Sequence, residues 1–493
     1  MKKAVTVLGG LAVVLGVTAS AGAWFTGQQL EGVLKDSIAQ ANRELAKSVQ
    51  RSDGGPLARL TLVSVERHWF SSQAHYQVQV DGNEFGAATP LEYRFVDHLE
   101  HGPWPWSRVK TLHWLPVMAL SNIAIERTPG TEAWFARTGG EAPLTAQVAI
   151  GYDQSTQSHL NMLPLTGGAL GVVQAFSGLQ LSLRANQDMS SYTLQGRMGE
   201  GALALPTPDG PLAMHLQNVT LDSQGTRSAT GFYLGQDTLT VGSTTLEAAG
   251  YSAQLNEMVN TAASEEVDGK LAVQLDYAVG QSRIAGQDVG KTRLSVKLSD
   301  FDSAASRALL DLYQQTIGPQ LMAAAQADQP LSLTLSEADR RRLDQQLAAL
   351  LAGQPKIMLQ PFSQATANGE STFNLTLTLK DPGPVHRLDP QLSARLLDSV
   401  DAKLYLSTAM LKDLAAVQAR MQGQTDPAAI DRQAEQVSNM VAGMAVMTGY
   451  GEAQDNAVVA DLHYANDQIV LNGQTMSLQQ WLGMLRGGAV GSH

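Results

Sequence analysis

The stretch Arg59-Leu-Thr-Leu-Val-Ser-Val-Glu-Arg67, answered by Ala74-His-Tyr-Gln-Val-Gln-Val80, decides the fold. In both arms apolar and polar side chains alternate, the period of a strand with one covered and one wet face. Trp69-Phe70-Ser71-Ser72 links the arms and Asp81-Gly82-Asn83 closes the second, so the pair predicts a β-hairpin.

The same alternation returns at 146–152, 179–183, 192–198, 212–221, 232–241, 271–279, 292–298, 331–335, 372–379, 403–406 and 457–464, and ends at 468–471 after a turn at Asn466-Asp467. Many short alternating strands in succession predict antiparallel sheet rather than βαβ units. Helical spacing enters late. Residues 303–327 place Leu309, Leu310, Tyr313, Ile317 and Leu321 on one face, and 337–351 follow a Ser336 N-cap. Helices are also expected at 390–400, 408–422, 428–447 and 476–485, with the stripe Met440, Met444 and Met447 in the core. The expected fold is α+β and predominantly antiparallel β: an N-terminal transmembrane helix, a long β body, and helices inserted in the C-terminal half.

Upstream, Ala4 to Phe25 is uncharged behind Lys2-Lys3. At about 1.5 Å per helical residue it is long enough to cross a hydrocarbon core of roughly 30 Å. The two lysines keep the N-terminus cytoplasmic, so the rest is exported. Trp24 and Phe25 fit the far interface of a retained anchor, while Ala19-Ser20-Ala21 also fits a signal cleavage site. Either way the expected location is the bacterial inner membrane and periplasm.

Residues 27–49 then carry Leu30, Val33, Leu34, Ile38, Ala41, Leu45 and Val49 at helical spacing. That amphipathic helix is expected to dock on its own domain or on a second copy, which makes self-association through 27–49 an expectation. The chain is thus divided as 1–26 tip and anchor, 27–51 amphipathic helix, 52–300 β-rich region and 301–493 mixed helix and strand.

Composition narrows the function. With 34 basic and 46 acidic residues the net charge is −12, which disfavours a nucleic-acid partner. Zero cysteines exclude disulfides, thiolate nucleophiles and Cys-ligated metals. No cofactor is expected: Gly290-Lys291-Thr292 lacks the first glycine of a P-loop, which is Ala285, and Gly199-Glu200-Gly201 lacks the third glycine of a dinucleotide fingerprint.

The densest chemical cluster is Asp97-His-Leu-Glu-His-Gly-Pro-Trp-Pro-Trp106, followed by Arg108, Lys110, His113 and Trp114. His98 and His101, with Glu100, would group as metal ligands on a helix, but Gly102-Pro103 breaks any helix there. A rigid loop whose tryptophans pack on the sheet is the competing expectation. Trp104, Trp106 and Trp114 are candidates for ligand recognition, His98 and His101 for a metal; no catalytic residue is nominated.

The anchor ending in Trp24-Phe25-Thr26-Gly27, the run Arg67-His-Trp-Phe-Ser-Ser72 between two strands, His101-Gly-Pro103 and the final Gln468-Ile-Val-Leu-Asn-Gly473 together resemble the YdgA family of bacterial inner-membrane-anchored proteins of uncharacterised function. The resemblance spans essentially the whole chain. It implies an exported, membrane-tethered, β-rich protein and supplies no catalytic residues. The expectation is a non-enzymatic envelope protein acting through contacts; the alternative is a carrier of lipid or another hydrophobic ligand on a curled sheet.

Overall fold

Every second residue of Ser71–Val80 is buried, from Ser72 through Ala74, Tyr76 and Val78 to Val80, so the alternation that predicts the hairpin is the alternation the fold uses. The computed structural model describes residues 34, 35, 38, 39, 41–43, 57–81, 90–166, 173–207, 210–248, 250–326, 334–381, 395–477 and 480–481. The expected membrane segment at 4–25 and much of the helix at 27–49 lie outside them. Among the described residues no helix is long and apolar enough to cross a membrane.

The chain divides into two units. The first contains β1 (Ala58–Arg67), β2 (Ser71–Val80), β3 (Leu91–His101), α1 (Trp106–Lys110), β4 (Ala119–Ile125), α2 (Glu132–Arg137), β5 (Leu144–Ile150) and β6 (Thr156–Met162). It continues through β7 (Leu165–Thr166), β8 (Val173–Phe176), β9 (Leu179–Ala185) and most of β10 (Ser191–Thr207). Strands β1 to β6 pair in sequence, β6 then pairs with β9 and β9 with β10, all antiparallel. One face of this sheet forms a core with Leu34, Ile38, Trp134 and Phe135, so Leu34, Ile38, Ala41 and α2 supply cover for it. Burying each such side chain is worth about 1.5–3 kcal/mol against leaving it wet.

The residues of β11 (Gly210–Arg227) are divided between the units. The second unit holds β12 (Tyr233–Ala248), β13 (Tyr251–Val267), β14 (Lys270–Ile284) and β15 (Gln287–Asp302), then α3 (Ser303–Leu312). The helical run goes on through a π-helical turn, Tyr313–Ile317, into α4 (Gly318–Gln326), residues that belong to the first unit. Pro319 explains the irregularity, because it has no N–H to give the carbonyl four residues back.

The rest of the second unit is α5 (Glu337–Ala352), β16 (Lys356–Ala365), β17 (Glu370–Leu379), β18 (Leu397–Ser407), α6 (Thr408–Met421), α7 (Pro427–Met447), β19 (Glu452–Gln454), β20 (Ala457–Ala465), β21 (Gln468–Leu471) and β22 (Gln474–Ser477). Ser336 caps α5 as expected, its hydroxyl accepting from Asp339 N. The closing hairpin turns at Asn466 and Asp467, both left-handed.

Three expectations change. Residues 397–400, expected to be helical, open β18, and only 395–396 are helical ahead of it. Thr334 and Leu335 are not in a strand, while 331–333 lie outside the described residues. Gln474–Ser477 is a strand where a helix from 476 was expected, with helical backbone at 480–481.

Strands β12 to β15 also run 15–17 residues, far longer than the alternation suggests. One reason is a bulge: at Asp300, in a left-handed conformation, Leu271 pairs with Phe301 on one side and Val273 with Leu298 on the other, so β15 carries one residue more than β14. One such residue flips the parity of the pattern without ending the strand. Glu257 is left-handed too, without a change of register, and Gly280 lies across from it, where a Cβ would clash with the Glu257 side chain.

Candidate functional site

Two surfaces stand out, one in each unit. In the first, Ser71 pairs with Glu100, and His101 N donates to Phe70 O at 3.0 Å, which sets the β1–β2 tip beside the β3–β4 connection. Trp69 is 94 % exposed and Phe70 82 %; across from them Leu112 is 73 % and Leu115 78 % exposed, with Trp104, Trp106 and Trp114 exposed as well. The candidate tryptophans therefore do not pack on the sheet.

What holds their loop is polar. Glu100 accepts from Ser107 N at 2.9 Å and from the Ser107 hydroxyl, Trp104 Nε1 donates to Trp114 O at 3.1 Å, and Gly102 N donates to Met118 O at 2.8 Å. A Cβ on Gly102 would lie 1.9 Å from Val117 O, so the approach requires glycine. Lys110 Nζ stands 5.6 Å from the Trp106 ring centroid. The loop spends its polar groups inward and its aromatic ones outward.

The candidate histidines are not brought together. Residues 91–101 form a strand rather than part of a loop, so His98 and His101, three apart, fall on opposite faces. His98 is exposed, whereas His101 Nε2 lies 3.3 Å from Ser72 Oγ, and burial holds the His101 imidazole below its ordinary pKa. Among the described residues no three His, Cys, Asp or Glu side chains gather as metal ligands.

Just before them, Asp97 points into the core and is fully buried. Ser121 Oγ donates to Asp97 Oδ1 at 2.7 Å, while Asp97 Oδ2 and Tyr76 Oη are buried without a hydrogen-bond partner among the described residues. Desolvation pushes the Asp97 carboxyl up to about 7, against a smaller downward pull from Ser121 and the backbone of Asn122, and Tyr76 is raised by burial and then by the charge of Asp97. No signal in the sequence separates this inward aspartate from an ordinary surface one.

In the second unit the registers of β14 to β18 and β20 stack three rows on one sheet face. They are Tyr277, Leu294, Phe362, Phe373, Leu404 and Ala460; Leu275, Val296, Leu359, Leu375, Ala402 and Leu462; and Val273, Leu298, Ile357, Leu377, Val400 and Tyr464. None is charged. A neighbouring row on the opposite face reads Gln274, Lys297, Met358, Thr376, Asp401 and His463.

At about 4.8 Å per strand the apolar rows cover roughly 24 Å by 13 Å. Only Tyr464 among them is buried, against Ile469 and Leu471; Tyr277 and Phe362 are exposed and the others half-buried. Helices α6 and α7 pack on each other through Lys412–Asp431 at 2.9 Å and Ser438 Oγ–Thr408 O at 2.9 Å. Their Met440, Met444 and Met447 are exposed, which corrects the expectation that this stripe is core.

A large antiparallel β body with helices interspersed, an open apolar sheet face and an aromatic sheet end define the class of protein. By sequence the chain belongs to the family described as "Bacterial protein of unknown function (DUF945)", whose model matches residues 1–479. It is 29 % identical to Protein YdgA of Escherichia coli (strain K12) over 96 % of this chain and 95 % of that protein. It is 22 % identical to the uncharacterised protein YihF of the same organism, over 96 % and 97 %. An uncharacterised protein of Haemophilus influenzae is 26 % identical over 33 % of this chain and 42 % of its own length. No solved structure matches.

Proposed function

We propose that the chain is an exported, inner-membrane-tethered envelope protein, non-enzymatic, that carries a lipid or another hydrophobic ligand on the apolar face of its second unit. The observation behind this reading is the set of three uncharged rows across six strands, left half-open among the described residues. Apolar area in water costs about 25 cal/mol per Å², and the largest apolar patch on a monomer, typically about 300–600 Å², is often functional; this face, roughly 300 Å², is of that order. The rows extend roughly 24 Å, longer than the ~15 Å depth of one membrane leaflet, so an acyl chain could lie along them.

The tether rests on the uncharged run from Ala4 to Phe25. Leu34 and Ile38 are taken up in the chain's own core, so self-association along 27–49 would have to use other residues of that stretch. A contact protein without ligand is the second reading, favoured by the exposed Met440, Met444 and Met447.

Native mass spectrometry of the full-length protein, extracted gently and paired with lipid extraction, tests the carrier. Leu375 and Thr376 are neighbours on β17 that point to opposite faces. A lipid-sized adduct is expected in the wild type and in Thr376→Lys, and lost in Leu375→Lys at unchanged circular dichroism. An adduct indifferent to Leu375→Lys, or none at all, would leave the contact protein as the better reading.

A further inference from the structure

The aromatic end of the first unit carries an inference independent of the carrier. In a meander, alternate turns fall at the same end of the sheet, so the β1–β2, β3–β4, β5–β6 and β9–β10 connections share one end. Each exposes large apolar side chains at its tip: Trp69 and Phe70, then Trp104 to Leu115, then Tyr152, then Met189. The row is six strand spacings long, about 29 Å.

Soluble turns place polar residues at such tips; at the β3–β4 tip Glu100 and Ser107 are instead bonded to each other beside exposed indoles. Residues 67–70 and 102–118 contain Arg67, Arg108 and Lys110 and no Asp or Glu, although the whole chain carries −12. The acids at this end are Glu66, Glu100, which accepts from Ser107, Asp153, which accepts from the Ser155 amide and hydroxyl, and Asp188, whose charge is paired with Arg227 at 3.4 Å.

We propose that this sheet end docks on a lipid bilayer, with the tryptophans and Leu112 and Leu115 at headgroup depth and Lys110 toward anionic headgroups. Indole rings with a polar edge favour that depth, and a lysine beside them adds attraction to anionic lipid. Tips strung along an edge, drawn from four separate turns, fit an extended surface better than a single pocket on a partner protein.

The test uses the full chain with Trp24→Phe, Trp134→Phe and Trp481→Phe, so that emission comes from Trp69, Trp104, Trp106 and Trp114. The protein is placed in nanodiscs of phosphatidylethanolamine and phosphatidylglycerol, with acyl chains brominated near the carbonyl end or left unbrominated. At least twofold quenching by the brominated lipid is expected, reduced by Phe70→Ser with Leu112→Gly and Leu115→Ser at unchanged circular dichroism.

Quenching should persist in Leu375→Lys, which separates failure of docking from failure of the carrier. Solvent-like emission insensitive to bromine overturns the proposal. So does a blue shift that appears only with rising protein concentration, which would assign the surface to a second copy.

Discussion

The carboxamide of Asn42 closes on the backbone of Leu60 at both ends: Leu60 N donates to Asn42 Oδ1 at 2.8 Å and Asn42 Nδ2 donates to Leu60 O at 2.7 Å. A side-chain amide has the donor and acceptor of a peptide group, so Asn42 serves β1, on the side away from β2, as one residue of a neighbouring strand would. It also protects that stretch of edge from pairing with another chain.

Asn42→Ala should therefore cost about 1–3 kcal/mol, since Leu60 is buried and its N–H and C=O would lose their partner. Asn42→Asp keeps the acceptor but sets a carboxylate against Leu60 O. That variant should regain stability as pH falls and the carboxylate protonates, read by urea unfolding at pH 7 and pH 4. Equal destabilisation at both values would contradict the pairing.

Asp97 makes a second pH-dependent contribution. Its folded pKa, about 7, is raised above the unfolded value, so its favourable contribution is complete below the unfolded pKa. That contribution is lost as pH climbs from about 4 toward 7, and levels off above. Asp97→Asn removes the buried charge and should gain a few kcal/mol relative to wild type at pH 8 compared with pH 4.5, by denaturant midpoints. A difference independent of pH would mean that the carboxyl is not desolvated.

Leu112 occupies the left-handed position after α1, φ 62°, where His113 N reaches Arg108 O and Leu112 N reaches Val109 O. Glycine is the easy residue at this helix end, and a bulky side chain there costs roughly 1–2 kcal/mol. Leu112→Gly should raise the melting temperature slightly because the exposed side chain buries little. A fall in melting temperature would show that Leu112 contributes packing.

Asp413, on α6, gathers Thr366 Oγ1 at 2.6 Å, Asn368 N at 3.1 Å and Asn368 Nδ2 at 2.8 Å, fastening the β16–β17 turn. Asp413→Ala should cost about 1–3 kcal/mol. Its signature is local: amide exchange at 366–369 should accelerate while exchange in the centre of β17 does not.

The sequence by itself determined the strand-rich class, because a period of two in side-chain polarity has few other meanings, and the hairpin of β1 and β2 follows from Leu60, Leu62, Tyr76 and Val78 directly. It also located Ser336 as a cap and Asn466-Asp467 as a turn, both of which act through bonds within a few residues. Strand lengths stayed hidden in part because Asp300 adopts left-handed backbone inside β15 and adds a residue that shifts the parity the eye follows.

Tertiary structure alone decided the sites. Whether Trp104 lies on a sheet or in water, whether His98 meets His101, and whether Met444 is core depend on partners distant in the chain, and local pattern carries no record of them. The apolar rows are the clearest case. Leu275, Val296, Leu359, Leu375, Ala402 and Leu462 are ordinary strand residues one at a time, and become one surface only when six registers align them.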